Sequence, residues 1–341
     1  MKIQFGVIGL NHGHIYAMVD GLLKTGRAEC AAYFAPEKEL QAQMQKAFPN
    51  VPLARSADEI LENPKIQLIC SASINHERGA LAVRAMKHGK DFFVDKPAIT
   101  TLDHLDAIER AQHDTGRLWF VWYGERLMDP SSRKALQLIH RGEIGRLVNF
   151  IGLGPHKLRR KTRPTWMFVP DQYGGILNDI AIHQVEMFTH LGGGKPSVVS
   201  SRVGNFGHPD IPTFQDFGDA TLSAPNGATA YVRVDWFTPE TMPTFGDIRN
   251  IIIGTEGMIE LRKTVDLAVD NSRFTGNQLL LVTRGKEPHR ISCDDIKVTL
   301  YDDILRDVEE RKNRTVDHEL SFAACRATQE AQSRATVLGS H

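Results

Sequence analysis

The run Ile3-Gln4-Phe5-Gly6-Val7-Ile8-Gly9-Leu10-Asn11-His12-Gly13-His14 decides the fold class. Its first six residues suit a short buried strand, Gly9 to His14 make a tight turn, and the apolar spacing beyond predicts a helix to about Lys24. Strand, glycine turn and helix start form a phosphate-binding unit, in which backbone amides and the positive helix end face a pyrophosphate. Of the G-x-G-x-x-G places only the first is met, by Gly9; Asn11 stands at the second and His14 at the third. Asparagine tolerates left-handed backbone, which keeps the turn feasible. His12 and His14 also make an H-x-H fragment of the kind found in zinc sites, but no third ligand stands near them in sequence and no metal is expected.

From this unit outward the pattern repeats. A strand at 29–34 leads through Ala35-Pro36-Glu37-Lys38 to a helix ending near Ala47. There follow a helix near 56–61, a strand at 66–71, a helix at 77–88, a strand at 91–94, a helix at 102–115 and a strand at 118–122. Such alternation with short links predicts a doubly wound parallel sheet covered on both faces. Dinucleotide folds that take NAD place an acid at the end of the second strand, where this chain has Ala35. Glu37 reaching the ribose hydroxyls and Lys38 meeting a 2′-phosphate are both open, so NAD and NADP remain candidates, NAD the favoured one.

The second decisive run is Phe92-Phe93-Val94-Asp95-Lys96-Pro97. Val94 ends a buried strand and Pro97, lacking an amide, stops it. Lys96 therefore sits at a strand end, in the crevice where open α/β sheets hold ligands, and the proline biases it toward extended backbone with a cis bond available. Ala72-Ser73-Ile74-Asn75-His76 follows another strand end, so Ser73, Asn75 and His76 line the same crevice; alternatively Asn75 caps the helix at Glu77.

The 41 basic residues balance 41 acidic ones, so no overall field draws the chain to nucleic acid or to an anionic membrane, and a small ligand is expected. The opening Met1-Lys2-Ile3-Gln4-Phe5-Gly6 has too short an apolar run for a signal peptide, and no run approaches membrane-spanning length, which favours the cytoplasm. Cys30, Cys70, Cys293 and Cys325 are scattered, as suits reduced thiols.

Past Tyr123 the pattern changes to a helix at 131–141 and strands at 146–153, 197–204, 219–223, 228–237, 248–254, 258–261, 265–269 and 278–283, with Asn226-Gly227 as a hairpin turn. This predicts an α+β domain, closed by a helix over about 304–335 that breaks near 313–316. Its chemical centre is Tyr173-Gly174-Gly175-Ile176-Leu177-Asn178-Asp179-Ile180-Ala181-Ile182-His183. Asp179 and His183, four apart, fall on one helical face, where a carboxylate orients an imidazole suited to proton exchange near neutral pH. A local ion pair on a solvated helix is the plainer reading; the surrounding Ile176, Leu177, Ile180, Val185 and Phe188 argue for burial instead. The basic run from His156 through Arg159, Arg160 and Arg163 to Trp166 reads either as a lid offering cations to an acidic substrate or as a solvated loop. Trp166, Phe168 and Tyr173 offer a wall for a sugar ring.

Taken together, these motifs resemble the Gfo/Idh/MocA oxidoreductase family, over essentially the whole chain: the glycine turn, Asn75-His76, Asp95-Lys96-Pro97 at the family's E-K-P, Gly142-Glu143-Ile144-Gly145, the Gly174-Gly175…Asp179…His183 block and Gly254-Thr255-Glu256-Gly257. The resemblance implies a Rossmann domain over 1–122, then a substrate-binding and oligomerisation domain over 123–341. That second domain would have a large open, mostly antiparallel sheet, assemble as a homodimer or homotetramer, and let the C-terminal helix pack back on the first. It implies Lys96, Asp179 and His183 as the catalytic set. Gly9, Leu10, Asn11, His12, Ala35, Glu37, Lys38, Ser73, Asn75, His76, Asp95 and Lys96 would hold the dinucleotide; Tyr123, His156, Arg163 and Trp166 would join the catalytic three around substrate. The implied reaction is NAD(P)-dependent hydride transfer with a secondary alcohol of a sugar, inositol or related polyol. Glycoside cleavage through tightly bound NAD, and a non-catalytic dinucleotide or sugar sensor, are the alternatives.

Overall fold

In the computed structural model, residues 2–265 and 278–339 are described. They divide into two compact units, Met1–Trp122 with Asp171–Gly174 and Thr299–Phe322, and Tyr123–Pro170 with Gly175–Val298 and Ala323–His341.

The first unit holds five parallel strands, β1 (Ile3–Ile8), β2 (Ala28–Phe34), β3 (Ile66–Ser71), β4 (Asp91–Asp95) and β5 (Trp119–Trp122), in the order β2-β1-β3-β4-β5. Phe5, Val7, Leu68, Ile69, Phe92, Phe93 and Val94 are all fully buried, as a parallel sheet covered on both faces requires. Ser56 and Thr101 cap the helices Ala57–Leu61 and Leu102–Thr115 by accepting from Glu59 N and His104 N, and left-handed Gly116 ends the second of these. Strand order reverses between β1 and β3. Their carboxyl ends, with that of neighbouring β4, therefore bound the ligand crevice of an open sheet, and they carry Gly9, Ser73 and Lys96.

The expected final helix is two helices, Leu300–Glu310 and His318–Ser333. Arg311, at φ 55°, ends the first, and its guanidinium reaches Asp91 and the Gly116 carbonyl. Tyr301 lies so close to Gly21 of the helix His14–Lys24 that a β-carbon at Gly21 would stand 2.1 Å from Cε2.

The second unit holds nine strands among the described residues: β6 (Leu147–Pro155), β7 (Ser197–Gly204), β8 (Phe217–Ser223), β9 (Thr229–Asp235), β10 (Arg249–Gly254), β11 (Gly257–Arg262), β12 (Gln278–Thr283), β13 (His289–Ile291) and β14 (Thr336–Val337). The sheet order is β13-β12-β11-β10-β6-β9-β8-β7-β14, antiparallel except for the pairs β6–β9 and β7–β14. The strand expected at 265–269 falls almost wholly outside the described residues. Asn226-Gly227 does turn β8 into β9, with Gly227 at φ 84°. Strands β13 and β14 are too short for alternation to show them in the sequence. No described helix is long and apolar enough to cross a membrane.

Alanine is the better helix former by about 1 kcal/mol, yet Gly21→Ala should destabilise by about 1–3 kcal/mol, because the methyl must displace a packed ring. Urea unfolding measures it; a more stable variant would show that Tyr301 moves freely.

Candidate active site

The turn after β1 is pinned at both ends. Gly9 N donates to Phe34 O at 3.0 Å, Ala72 N to Gly9 O at 3.2 Å, and His12 N to Ala72 O at 3.0 Å. Gly9 is at φ 85°, and a β-carbon there would stand 2.4 Å from Ser73 Cβ, so only glycine fits. Asn11 is not left-handed: among the described non-glycine residues only Arg159 and Arg311 have positive φ. Its side chain instead donates from Nδ2 to Glu37 Oε1 at 2.8 Å. Glu37 Oε2 is buried with no hydrogen-bond partner, Ala35 is fully buried, and Lys38 is exposed at the start of the helix Lys38–Ala47. An acid is thus present at the ribose place, supplied two residues beyond Ala35 and steadied by the residue that replaces the second glycine. An orphaned carboxylate oxygen matches a hydroxyl pair, and it disfavours a 2′-phosphate. The turn and Glu37 fit a dinucleotide.

Across the crevice, Asp95 is fully buried and draws both turn histidines: Oδ1 lies 2.9 Å from His14 Nδ1 and Oδ2 lies 3.0 Å from His12 Nδ1. Burial, then the neighbouring His14, pulls the His12 pKa down to about 4. Burial acts to raise the Asp95 carboxyl, but His14 and His12 outweigh it and hold it well below its usual range. The third group that sequence spacing did not reveal beside His12 and His14 is therefore Asp95, brought in by strand pairing.

Arg78 was missed. It is fully buried; Nε donates to Ser73 O at 2.8 Å, and Nη1 to the carbonyls of Asp95, Lys96 and Pro97 at 3.1, 2.7 and 3.0 Å. It fixes the backbone from which Lys96, itself buried, projects, and the Lys96–Pro97 bond is cis. At the second place of an expected helix it reads as an ordinary surface cation; the adjoining Gly79, against which His104 packs, was the available hint of a buried face. Asn75 does not cap that helix. A 3-10 turn, Asn75–Glu77, precedes Arg78–Lys87, and Asn75 Nδ2 donates to Tyr173 O at 2.8 Å; His76 lies half-buried in the same turn.

In the second unit, the segment expected as a regular helix begins as a π-helical turn, Leu177–Ala181, and becomes α-helical over Ile182–Phe188. Ile176 N donates to Gln215 Oε1 at 3.1 Å and Leu177 N to Gln332 Oε1 at 3.0 Å, so two glutamines receive the first N–H groups. Asp179 and His183 are 5% and 6% exposed; the helix is enclosed, not solvated. Gly152 and Gly154 of β6 make room for Gln184, which donates to Glu125 Oε2 at 2.9 Å. Arg126 Nε donates to buried Glu186 Oε1 at 2.7 Å, and His190 Nε2 is 3.2 Å from the same oxygen.

Lys157, Arg160 and Arg163 of the basic run are engaged within the unit, while Arg159 and Lys161 are exposed. Arg163 donates to Leu158 O and Lys157 O at 2.9 and 3.0 Å and lies 4.7 Å over the Trp236 ring; Lys157 Nζ donates to Glu240 O and Met242 O; Arg160 pairs with Asp210. His156 packs between Trp236 and Phe245, Trp166 lies in the turn Thr165–Phe168, and Tyr123 is fully buried with its hydroxyl 3.4 Å from Cys325 Sγ.

Residues 3–123 match the family described as "Oxidoreductase family, NAD-binding Rossmann fold", and residues 132–260 match "GFO/IDH/MocA C-terminal domain". Among solved structures the chain is 42% identical to a protein of Erwinia carotovora atroseptica SCRI1043 described as a candidate oxidoreductase, covering 99% of this chain and 100% of that one with a TM-score of 0.94. The scyllo-inositol 2-dehydrogenase (NAD(+)) of Bacillus subtilis (strain 168) is 25% identical over 76% of this chain and 73% of its own length. Levoglucosan dehydrogenase, in complex with NADH and levoglucosan, shares the fold at 18% identity, with a TM-score of 0.82 over 98% of each chain. Family matches in both halves, and a relative 42% identical along its full length, show that the chain belongs to the Gfo/Idh/MocA oxidoreductase family.

Proposed function

We propose that the protein is an NAD-preferring dehydrogenase acting on a secondary alcohol of a neutral sugar, inositol or related polyol. The observation that carries the reading is Lys96, buried at the end of β4 on backbone held by Arg78, with its charge felt at His12 of the glycine turn. Residues 1–122 hold the dinucleotide and residues 123–341 bind substrate. Gly9, Leu10, Asn11, His12, Ser73, Asn75, His76 and Asp95 bound the cofactor, and Glu37 takes the adenine ribose hydroxyls. The bound nicotinamide supplies the hydride acceptor. The protein's own part is proton handling: His183 takes the hydroxyl proton, Asp179 orients its ring, and Lys96 donates a hydrogen bond to the oxygen as charge develops there. The scyllo-inositol and levoglucosan enzymes named above act on such alcohols, which supports this substrate class.

The reading of a neutral substrate is supported by Lys157, Arg160 and Arg163 of the basic run, which are already engaged by carbonyls and by Asp210. Assembly through the large sheet is part of the same reading. One row across it, Leu280, Glu260, Ile251, Ile151 and Tyr231, stays partly exposed and is apolar at four of five places.

Calorimetric titration with NADH and NADPH should give the tighter binding to NADH. Glu37→Ala should weaken NADH by about tenfold, the worth of one hydrogen bond to a charged group, and narrow the gap to NADPH. Tighter NADPH binding by the wild type would reverse the assignment. With a panel of inositols and sugar lactols as substrates, His183→Ala should lower kcat by about 10²–10⁴ and Lys96→Ala by about 10²–10³, with NADH affinity near wild type. Unchanged turnover in either variant would remove that residue from the chemistry. Arg78→Ala takes the balancing guanidinium from buried Asp95 and leaves four carbonyls without their donor, and should cost about 3–5 kcal/mol in chemical unfolding; a loss under about 1 kcal/mol would show that water replaces the guanidinium.

A further inference from the structure

The glycine turn holds a second arrangement, built in part from residues that bound the cofactor, to which the alcohol chemistry assigns no proton or hydride step. One ring nitrogen each of His12 and His14 and one carboxylate oxygen of Asp95 lie within 4.8 Å of one another. Asp95 Oδ1 makes an aligned hydrogen bond with His14 Nδ1 at 2.9 Å. The other pair differs. Oδ2 is buried and has no hydrogen-bond partner, although His12 Nδ1 stands only 3.0 Å away, and that nitrogen already accepts from His14 N at 3.4 Å. Two electron-rich atoms at this separation, one of them fully removed from solvent, need a proton or a cation between them. Arg78 Nη2 is 3.5 Å from Oδ2 and does not fill that interval.

We infer that His12, His14 and Asp95 form a binding site for one zinc-class divalent cation, with each histidine giving Nδ1, Asp95 one oxygen, and the fourth position open to water. Two imidazoles and a carboxylate are borderline donors, which select Zn²⁺, Co²⁺ or Ni²⁺ over Mg²⁺ and Ca²⁺. Tetrahedral zinc bonds of roughly 2.0–2.2 Å set donors about 3.4 Å apart. The contacts at 2.9 and 3.0 Å reach opposite oxygens of Asp95, so ligation through one oxygen asks for a turn of that carboxylate within the 4.8 Å spread of the three donors. Ring contacts hold both imidazoles in place, since His14 lies 4.4 Å from the Trp122 ring and meets His12 edge-on at 4.1 Å. The site stands on this geometry alone, so its test is separate from that of the alcohol chemistry.

The experiment uses the full chain, stripped by a chelator and free of nucleotide, titrated with Zn²⁺ by calorimetry and with Co²⁺ as a visible-absorption probe. One ion per chain is expected, with the intense absorption of tetrahedral Co²⁺. His12→Gln and His14→Gln, shown folded by circular dichroism, should each weaken Zn²⁺ at least tenfold and abolish that absorption. His113→Gln, at an exposed histidine remote in sequence, should change neither. Absence of stoichiometric binding, or binding unchanged by His12→Gln and His14→Gln, would overturn the site and leave a shared proton between His12 and Asp95.

Discussion

A guanidinium with no solvent exposure is the constraint on which the crevice depends. A buried charge persists only when it is paired and hydrogen-bonded, and Arg78 meets both needs with groups from two loops. It binds the Ser73 carbonyl after β3 and three consecutive carbonyls after β4, while its charge is balanced by Asp95. Asp95 in turn engages both histidines of the turn after β1. The three loops at the carboxyl ends of β1, β3 and β4 are thereby one electrostatic unit. The position of the Lys96 backbone follows from hydrogen bonds to Arg78 as much as from strand packing.

The second unit solves a different problem, how to hold polar groups on an enclosed helix. Gly152 and Gly154 remove two β-carbons from β6, and Gly218 removes one from β8 opposite Ile176 and Leu177, so the segment carrying Asp179 and His183 lies close on the sheet. The buried Arg126–Glu186 pair anchors that helix to the short helix Gly124–Leu127. Breaking such a pair from one side costs several kcal/mol, so it holds the helix in one place even if it adds little net stability. A rigid frame suits the proton transfer proposed for His183, which tolerates little misplacement.

Most of the parallel sheet was legible in the sequence, because strands largely buried on both faces, such as 66–71 and 91–94, read as mostly apolar runs between turn signals. The long strands of the second sheet were legible through alternation and the Asn226-Gly227 turn; β13 and β14, three and two residues long, carry no period to detect. The π turn at 177–181 was not legible either, since apolar residues nearly all round a segment fix no phase. The side chains of the site were legible by type and place, as with Lys96 after β4, but not by partner. Only the adjoining Gly79 hints that Arg78 is enclosed, and nothing near Asn11 announces Glu37, 26 residues on. Long-range partners arise from strand order, which a single sequence expresses only weakly.

Strand order also explains why the glycine fingerprint can be eroded here. Its second glycine lets the backbone approach a pyrophosphate, and its third lets the helix pack close to the strand. Asn11 gives up the first clearance but turns its amide away to Glu37, an acid two residues beyond Ala35. His14 gives up the second, but its ring leaves the helix for Asp95 and the face of Trp122, both delivered by the strands β4 and β5. Each missing glycine is thus replaced by a side chain with a fixed polar partner two or more elements away. Clearance has been exchanged for anchoring, so the turn keeps its shape through hydrogen bonds where the usual motif keeps it through small size.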